Sequence, residues 1–321
     1  MPRPLLLVLA LGLFALAPPA QAQNFPSGTV RIIVPFPAGG ATDVLGRVLS
    51  VHLQNLWGPP VVSEYRPGAA GLLGTRQVAS SPADGYTLLM ASHSNLVLAK
   101  AAGTNLRYDP LSDFAPIGRV AYVPFVLAVY RDVPAKTIPE LVAYAAGHPG
   151  QLTYATAGSG TMSQLGIELL KAAAAIDLLA VHYKGAGSAL HDVIAGRVDM
   201  MLVDHAVAAP HVTAGAIRIL GSSGAHRASA ALDVPTFAEQ GIAGYAVDTW
   251  YGLVAPAKTP AEVLARLSRA LADIRRSPEV RARLEQLGYD PIDDSPDEFR
   301  IVIGSEIDKY SAIVKRAGVK H

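Results

Sequence analysis

The 321-residue chain contains no cysteine. Disulfides, thiolate nucleophiles and cysteine-ligated metals are excluded, and stability has to come from burial. Charge of one sign is also lacking. Lys and Arg total 27 against 26 Asp and Glu, which leaves no electrostatic footprint for nucleic acid. Beyond the N-terminal region no apolar run reaches the roughly 18 residues of a membrane span. There is no G-x-x-x-x-G-K-[ST] loop, no G-x-S-x-G elbow and no evident His–carboxylate pair, so phosphate-loop and triad chemistry have no sequence support. His205 and His211 are six residues apart and fall on different helical faces, so no zinc pair is expected and no metal or cofactor is assigned. Tandem repeats and low-complexity tracts are absent.

The first residues carry export information. Met1 to Arg3 bring one positive charge, and Leu5 to Ala17 form an apolar run too short to span a membrane. Pro18-Pro19 stop that run, and Ala20-Gln21-Ala22 provide an A-x-A site. Residues 1–22 therefore read as a secretory signal peptide, cut after Ala22, which places the mature protein in the periplasm. No Cys follows to carry a lipid anchor. Loss of Arg3 brings Lys and Arg level with Asp and Glu at 26.

Val30 to Leu45, VRIIVPFPAGGATDVL, is the richest stretch. A β-branched run breaks at Pro35, Pro37, Gly39 and Gly40 and gives way to helical spacing from Thr42 to Trp57. That order is strand, tight loop, helix, and a helix N-terminus with free N–H groups attracts anions. The alternation continues. Strands are expected at 61–63, 86–90, 126–130, 152–156, 179–182, 199–203 and 217–221. Helices are expected at 71–80, 138–146, 162–175, 186–195, 206–214, 260–276, 278–287 and 296–317, the last capped by Ser295. This is an α/β chain whose parallel sheets place ligands at the carboxyl ends of strands, and its length suits two domains.

Four loops after strands are rich in Gly and hydroxyl residues. They are Pro35 to Asp43, Ala91 to Asn95 (ASHSN), Ala157 to Gln164 (AGSGTMSQ) and Tyr183 to Ser188 (YKGAGS). Candidate ligand contacts are Phe36, Ala38, Gly39, Gly40 and Asp43, then Ser92, His93 and Ser94. From the later loops come Gly158, Ser159, Gly160, Thr161, Ser163 and Gln164, then Tyr183, Lys184 and Gly185, with Asp204 after a further strand. Lys184 is the one fixed cation in this set, which suits a small carboxylate better than a polyphosphate. One Gly-rich turn alone is usually just a turn. Asp43 alone could simply favour the positive end of its helix. Gly158-x-Gly160-x-x-Ser163 lacks the third Gly of a dinucleotide fingerprint. Asp204 could accept from a ligand ammonium or hydroxyl, or cap a loop. Trp57, Trp250 and Tyr251 suit core or cleft wall, and the acidic run Asp293 to Glu298 suits a solvated helix start.

PFPAGGATDVL, EYRPGAAGLLGT, ADGYTLLM, VHYKGAGSALHDVIAGRVDMM and DTWYGLVAPAKTP, in this order, resemble the extracytoplasmic solute receptors of tripartite tricarboxylate transporters, the Bug-type receptors. The resemblance covers the mature chain. It implies a type II periplasmic-binding-protein fold with two α/β domains joined by crossover strands. One domain would span residues 24–122 plus 247–321 and the other 123–246, with the ligand in the cleft. It implies a carboxylate gripped by backbone groups near Phe36 to Gly40 and by hydroxyl and amide groups near Gly158 to Ser163. The implied partners are a small organic anion (a di- or tricarboxylate, amino acid or aromatic acid) and a membrane permease, with the receptor a monomer and not an enzyme. Gln164 stands where relatives often have His, the loop after Met90 often reads with Thr or Asn where this chain has Ser92-His93-Ser94-Asn95, and His205 stands where Asn is common. A sensing role, or an exported α/β hydrolase with Ser163 as nucleophile, are the alternatives.

Overall fold

The computed structural model describes residues 25–317 except residue 228. The signal-peptide assignment to residues 1–22, and the outermost residues of the expected first domain, lie outside these.

The chain forms β1 (Val30–Val34), α1 (Ala41–Trp57), β2 (Val61–Tyr65), α2 (Leu72–Ala79), β3 (Thr87–Ser92), a π-helical turn His93–Leu98 and the short α3 (Ala99–Ala101). It continues with β4 (Phe114–Tyr130), α4 (Ile138–Gly147), β5 (Thr153–Thr156), α5 (Met162–Ala174), β6 (Leu179–His182), α6 (Ala186–Ile194), β7 (Met200–Asp204), α7 (His205–Thr213) and β8 (Ile217–Ser222). The last elements are β9 (Asp248–Pro256), α8 (Ala261–Arg276), α9 (Pro278–Gln286), β10 (Asp290–Pro291) and α10 (Pro296–Ala317).

Two lobes share one strand. In the first, β1 lies between parallel β2 and β3, and β9 joins antiparallel between β3 and the first part of β4. In the second, β5 lies between parallel β6 and β7, and the second part of β4 runs antiparallel between β7 and β8. The 17-residue β4 thus passes from one lobe to the other. Chain return is fixed where Val247 N–H donates to Ser223 O (2.7 Å) and Ser223 N–H to Phe125 O (2.8 Å).

Each element follows from its residues. In α1, Leu45, Leu49 and Leu53 repeat every fourth position and are buried against the first sheet. Each such side chain contributes about 1.5–3 kcal/mol. Arg47 and Gln54 take the opposite face. β7 (MMLVD) is buried throughout because helices cover both faces of its lobe. α4 is capped by Thr137, whose hydroxyl accepts from Glu140 N–H. Ser295 Oγ accepts from Glu298 N–H at 3.2 Å and Glu298 returns a carboxylate to Ser295 N–H at 2.7 Å, a capping box that starts α10 as expected.

Three local expectations are corrected. The strand expected at 126–130 is the end of a much longer one, and β9 was not anticipated. Both carry Pro, Gly or polar residues where the ladder shifts register, as between Pro116 and Gly118. The loop expected at Ala91 to Asn95 is the end of β3 and the first π-helical turn, closed by Asn95 Oδ1, which accepts from both Ser92 N–H and Ser92 Oγ–H. Asp294, assigned to a solvated helix start, is buried with Arg275 and Arg119.

Candidate ligand-binding site

A cavity of about 540 Å³, mouth included, lies between the lobes at the carboxyl ends of β1, β3, β5 and β7. One wall is Phe36, Pro37, Gly40, Ala41 and Thr42, from the loop after β1 and the first turn of α1. Ser92 and Ser94 continue that wall. Ala157, Thr161, Met162 and Ser163 face it from the second lobe, with Ala186 from α6. Phe125 from the shared β4, Thr249 and Tyr251 from β9, and Met201 to Asp204 from β7 complete it.

The helix starts define its chemistry. α1, α5 and α6 begin at Gly40, Thr161 and Gly185, and none of these N-caps makes a side-chain cap hydrogen bond. Of their first-turn N–H groups, Asp43 donates to Gly40 O, Gln164 to Thr161 O and Met162 to Ser94 Oγ, while those of Ala41, Thr42, Ser163 and Ala186 have no acceptor in their own helix. Here they open toward an enclosed space instead of bulk water. Hydroxyl protons are partly committed. Thr161 Oγ1 donates to Gly158 O at 2.7 Å, so its 3.0 Å contact with Ser163 Oγ requires the Ser163 proton. Ser94 Oγ accepts from Met162 N–H at 3.2 Å, a hydrogen bond between lobes, and keeps its own proton. No lining residue is Lys, Arg or His. An anion held here is held by dipoles.

The lobes also touch beside the cavity. A Cβ on Gly185 would lie 2.9 Å from Pro37 Cδ, and one on Gly187 3.3 Å from Ala38 O. Gly39 (φ +94) lies in this contact, 3.6 Å from Gly187 Cα by the same measure, in a conformation that favours glycine.

Of the candidate residues, Phe36, Gly40, Ser92, Ser94, Thr161, Ser163 and Asp204 line the cavity. Gly158, Ser159, Tyr183 and Lys184 line a neighbouring recess with Pro67 to Gly71, which shares Phe36, Pro37 and Ala157 with the cavity. Ala38, Gly39 and Gly185 sit in the interlobe contact. Gln164 Oε1 accepts from Gly160 N–H at 2.7 Å and braces the loop from behind.

Asp43 is committed within its own lobe. It accepts from Gly39 N–H (2.9 Å), Tyr65 Oη–H (2.6 Å) and Arg47 Nε–H (2.6 Å). Burial pulls its pKa up, but these donors outweigh burial and hold it below the usual Asp value. Its place is behind the anion loop, pinning Gly39.

His93 is corrected more sharply. Its ring is fully buried and faces away from the cavity, although Ser92 and Ser94 on either side line it. His93 Nε2 lies 2.6 Å from Glu306 Oε2 of α10, off the direction of an aligned hydrogen bond. The same carboxylate oxygen accepts from Trp250 Nε1–H at 2.6 Å. Burial raises the Glu306 pKa, but His93 and Trp250 outweigh that and lower it on balance. Trp250 in turn alternates with the cavity residues Thr249 and Tyr251. Glu306 therefore backs two cavity walls at once. Only the period-two alternation of a strand hinted at this, and nothing in the sequence pointed to Glu306 as the partner.

The comparisons with known proteins agree with this fold. A family model described as the tripartite tricarboxylate transporter family receptor matches residues 45–319. Protein BugT of Bordetella pertussis is 32% identical over 321 residues, covering 98% of each chain. Among solved structures, R. palustris Rpa4515 with adipate superposes with a TM-score of 0.90 at 31% identity, over 92% of this chain and 99% of that one. MatC from Rhodopseudomonas palustris with bound malate gives 0.86 at 31% identity, over 90% and 100%.

Proposed function

The chain belongs to the tripartite tricarboxylate transporter receptor family, a family of solute-binding receptors and not enzymes, and from that premise we propose that it captures a small organic carboxylate in the periplasm and presents it to a membrane permease. The observation that carries the reading is the convergence of three helix starts without side-chain caps, α1, α5 and α6, on a cavity lined by no cationic side chain. Carboxylate oxygens suit such donors, because hydrogen bonds to an ionised acceptor are about twice as strong as neutral ones and gain further where water is excluded. Adipate and malate in the two similar structures are carboxylates of the same class.

The mechanism is hinge closure. The described residues of 24–122 with 247–321 form one moving body and those of 123–246 the other. The ligand carboxylate bridges Gly40 to Thr42 on one side and Thr161 to Ser163 on the other, and so favours the closed form. The signal peptide is removed after Ala22, the mature receptor is a monomer, and the closed form docks on its permease. No helix among the described residues is long and apolar enough to cross a membrane, so the receptor supplies the binding step and the permease the passage.

A thermal-shift panel of mono-, di- and tricarboxylates, amino acids and aromatic acids tests the reading. A ligand at 100 times its Kd adds about 2.7 kcal/mol, or a midpoint rise of several degrees at about 2–4 °C per kcal/mol. A folded protein that no organic acid shifts refutes carboxylate capture.

A further inference from the structure

Asp204 is the one ionised side chain on the cavity wall, and an anion-binding cavity is an unfavourable place for it. It closes β7 and stands at the N-cap of α7, a position where Asp ordinarily caps its own helix. Here it makes no such cap. The side chain is 3% exposed and accepts instead from Tyr251 Oη–H at 3.0 Å, from the strand that belongs to the other lobe. Among the described residues no Lys, Arg or His pairs with it. A buried carboxylate with one neutral donor is under-satisfied, and a ligand carboxylate in the same enclosed space adds repulsion.

A ligand that brings its own donor removes both difficulties. We propose that the receptor selects organic acids carrying an ammonium or hydroxyl group in addition to the carboxylate, and that Asp204, oriented by Tyr251, is the group that reads it. This rests on the carboxylate-receptor reading above and narrows it to amino and hydroxy acids. Selection of this kind is steep, because an analogue lacking the donor leaves the buried carboxylate unpaired, whereas one extra methylene costs little in an apolar pocket.

The titratable groups around Asp204 are Tyr251 on β9, Tyr289 ahead of β10 and its chain neighbour His205. Burial pushes both phenols well above their usual value, so they stay neutral. Burial lowers His205, with Asp233 opposing. Burial also raises the Asp204 pKa to about 6, against the Tyr251 hydrogen bond and its own backbone N–H, which lower it. Between pH 7.5 and 5 Asp204 therefore passes from ionised to protonated. A ligand held through its donor loses affinity over that range. A plain dicarboxylate sharing a proton with Asp204 gains affinity, so the two cases have opposite signs.

The test is calorimetric titration of the mature protein with matched pairs: malate against succinate, lactate against propionate, glutamate against glutarate, phenyllactate against phenylpropionate. The expected result is that the donor-bearing member of at least one pair binds tenfold or more tighter. Its Kd should rise as pH falls from 7.5 to 5, and Asp204→Asn should shrink the preference to a few-fold. His205→Asn should keep both the preference and the pH trend. The inference is overturned if the unsubstituted member binds as tightly, if binding strengthens on acidification with proton uptake, or if Asp204→Asn keeps the full preference. Wild-type pH dependence decides even where the Asn variant folds poorly. If an unsubstituted acid binds well, only the donor requirement falls. If no acid binds, the carboxylate reading falls and takes this inference with it.

Discussion

Gly185→Ala separates closure from folding. Gly185 has φ 174 and ψ 167, extended backbone that alanine adopts freely. The added Cβ would stand 2.9 Å from Cδ and 3.1 Å from Cγ of Pro37, a rigid ring across the lobe interface. Neither side can yield by rotating a side chain. Only the contact between lobes is strained, because Pro37 belongs to the loop after β1 and Gly185 to the start of α6. Overpacking of this kind costs about 1–3 kcal/mol, and opening the cleft relieves it. The closed form alone carries the cost, so ligand affinity should fall about 5- to 150-fold at 1.4 kcal/mol per tenfold. Calorimetry gives the Kd, X-ray scattering gives compaction with and without ligand, and denaturant unfolding without ligand gives stability. Gly147→Ala is the control, since a Cβ there meets nothing within 4 Å. Unchanged affinity and unchanged compaction in Gly185→Ala would refute the closure argument. A large loss of stability without ligand would refute the claim that the clash lies between lobes.

Asp204→Asn should stabilise the ligand-free protein near pH 7. A carboxyl whose folded pKa is raised from 3.8 to about 6 favours the fold when protonated, so its contribution improves as pH falls through 6 and is complete below about 4. At 1.36 kcal/mol for each pH unit the gain for Asn is about 3 kcal/mol at pH 7.5, vanishing toward pH 4; urea unfolding at both pH values checks it, and an Asn variant less stable at pH 7.5 contradicts the burial argument. Asp294→Ala should cost up to about 3–5 kcal/mol by removing the buried partner of Arg275, its side chain 3% exposed, and leaving it only the more exposed Asp293 at 3.5 Å; a melting point within a degree of wild type would show that Asp293 suffices. Glu306→Ala removes the acceptor of Trp250 Nε1–H and should cost about 1–3 kcal/mol while weakening ligand binding, because the backing of Ser92, Ser94, Thr249 and Tyr251 is lost. Calorimetry that finds normal affinity in Glu306→Ala would limit Glu306 to a role in folding.

The elements that were legible in the sequence have simple periodicity. β1 and α1 are a β-branched run followed by Leu45, Leu49 and Leu53 at helical spacing, and the loop between them announces itself by Pro and Gly. β4 and β9 gave weaker signals because β4 crosses between lobes and β9 follows its irregular first part. The partners of β4 change along its length, and Pro116, Gly118, Pro124 and Gly252 interrupt any single pattern. At the site, residue type and spacing indicated which loops converge. They did not indicate direction. His93 differs from Ser92 and Ser94 by one residue, and a one-residue step in a strand or at its end reverses the face. Asp43 and Gln164 were chemically plausible contacts, yet each is taken by a nearby backbone N–H, of Gly39 and Gly160, which a sequence cannot display.

The same distinction bears on how a cavity without cations can work. A Lys or Arg on the wall would hold an anion strongly but would itself need a counter-charge in the empty receptor. Helix starts at α1, α5 and α6 need none, because their partial charge is fixed in the backbone and costs no side-chain ordering on binding. Charged residues serve behind the wall instead. Arg47 acts through Asp43 on Gly39, and Glu306 acts beneath Ser92, Ser94 and Tyr251. Asp204 is the exception on the wall itself. Every other lining residue can be exchanged in thought for a neutral one without changing which charge the cavity accepts. Exchange of Asp204 changes it, and ligand identity should therefore respond most to that position.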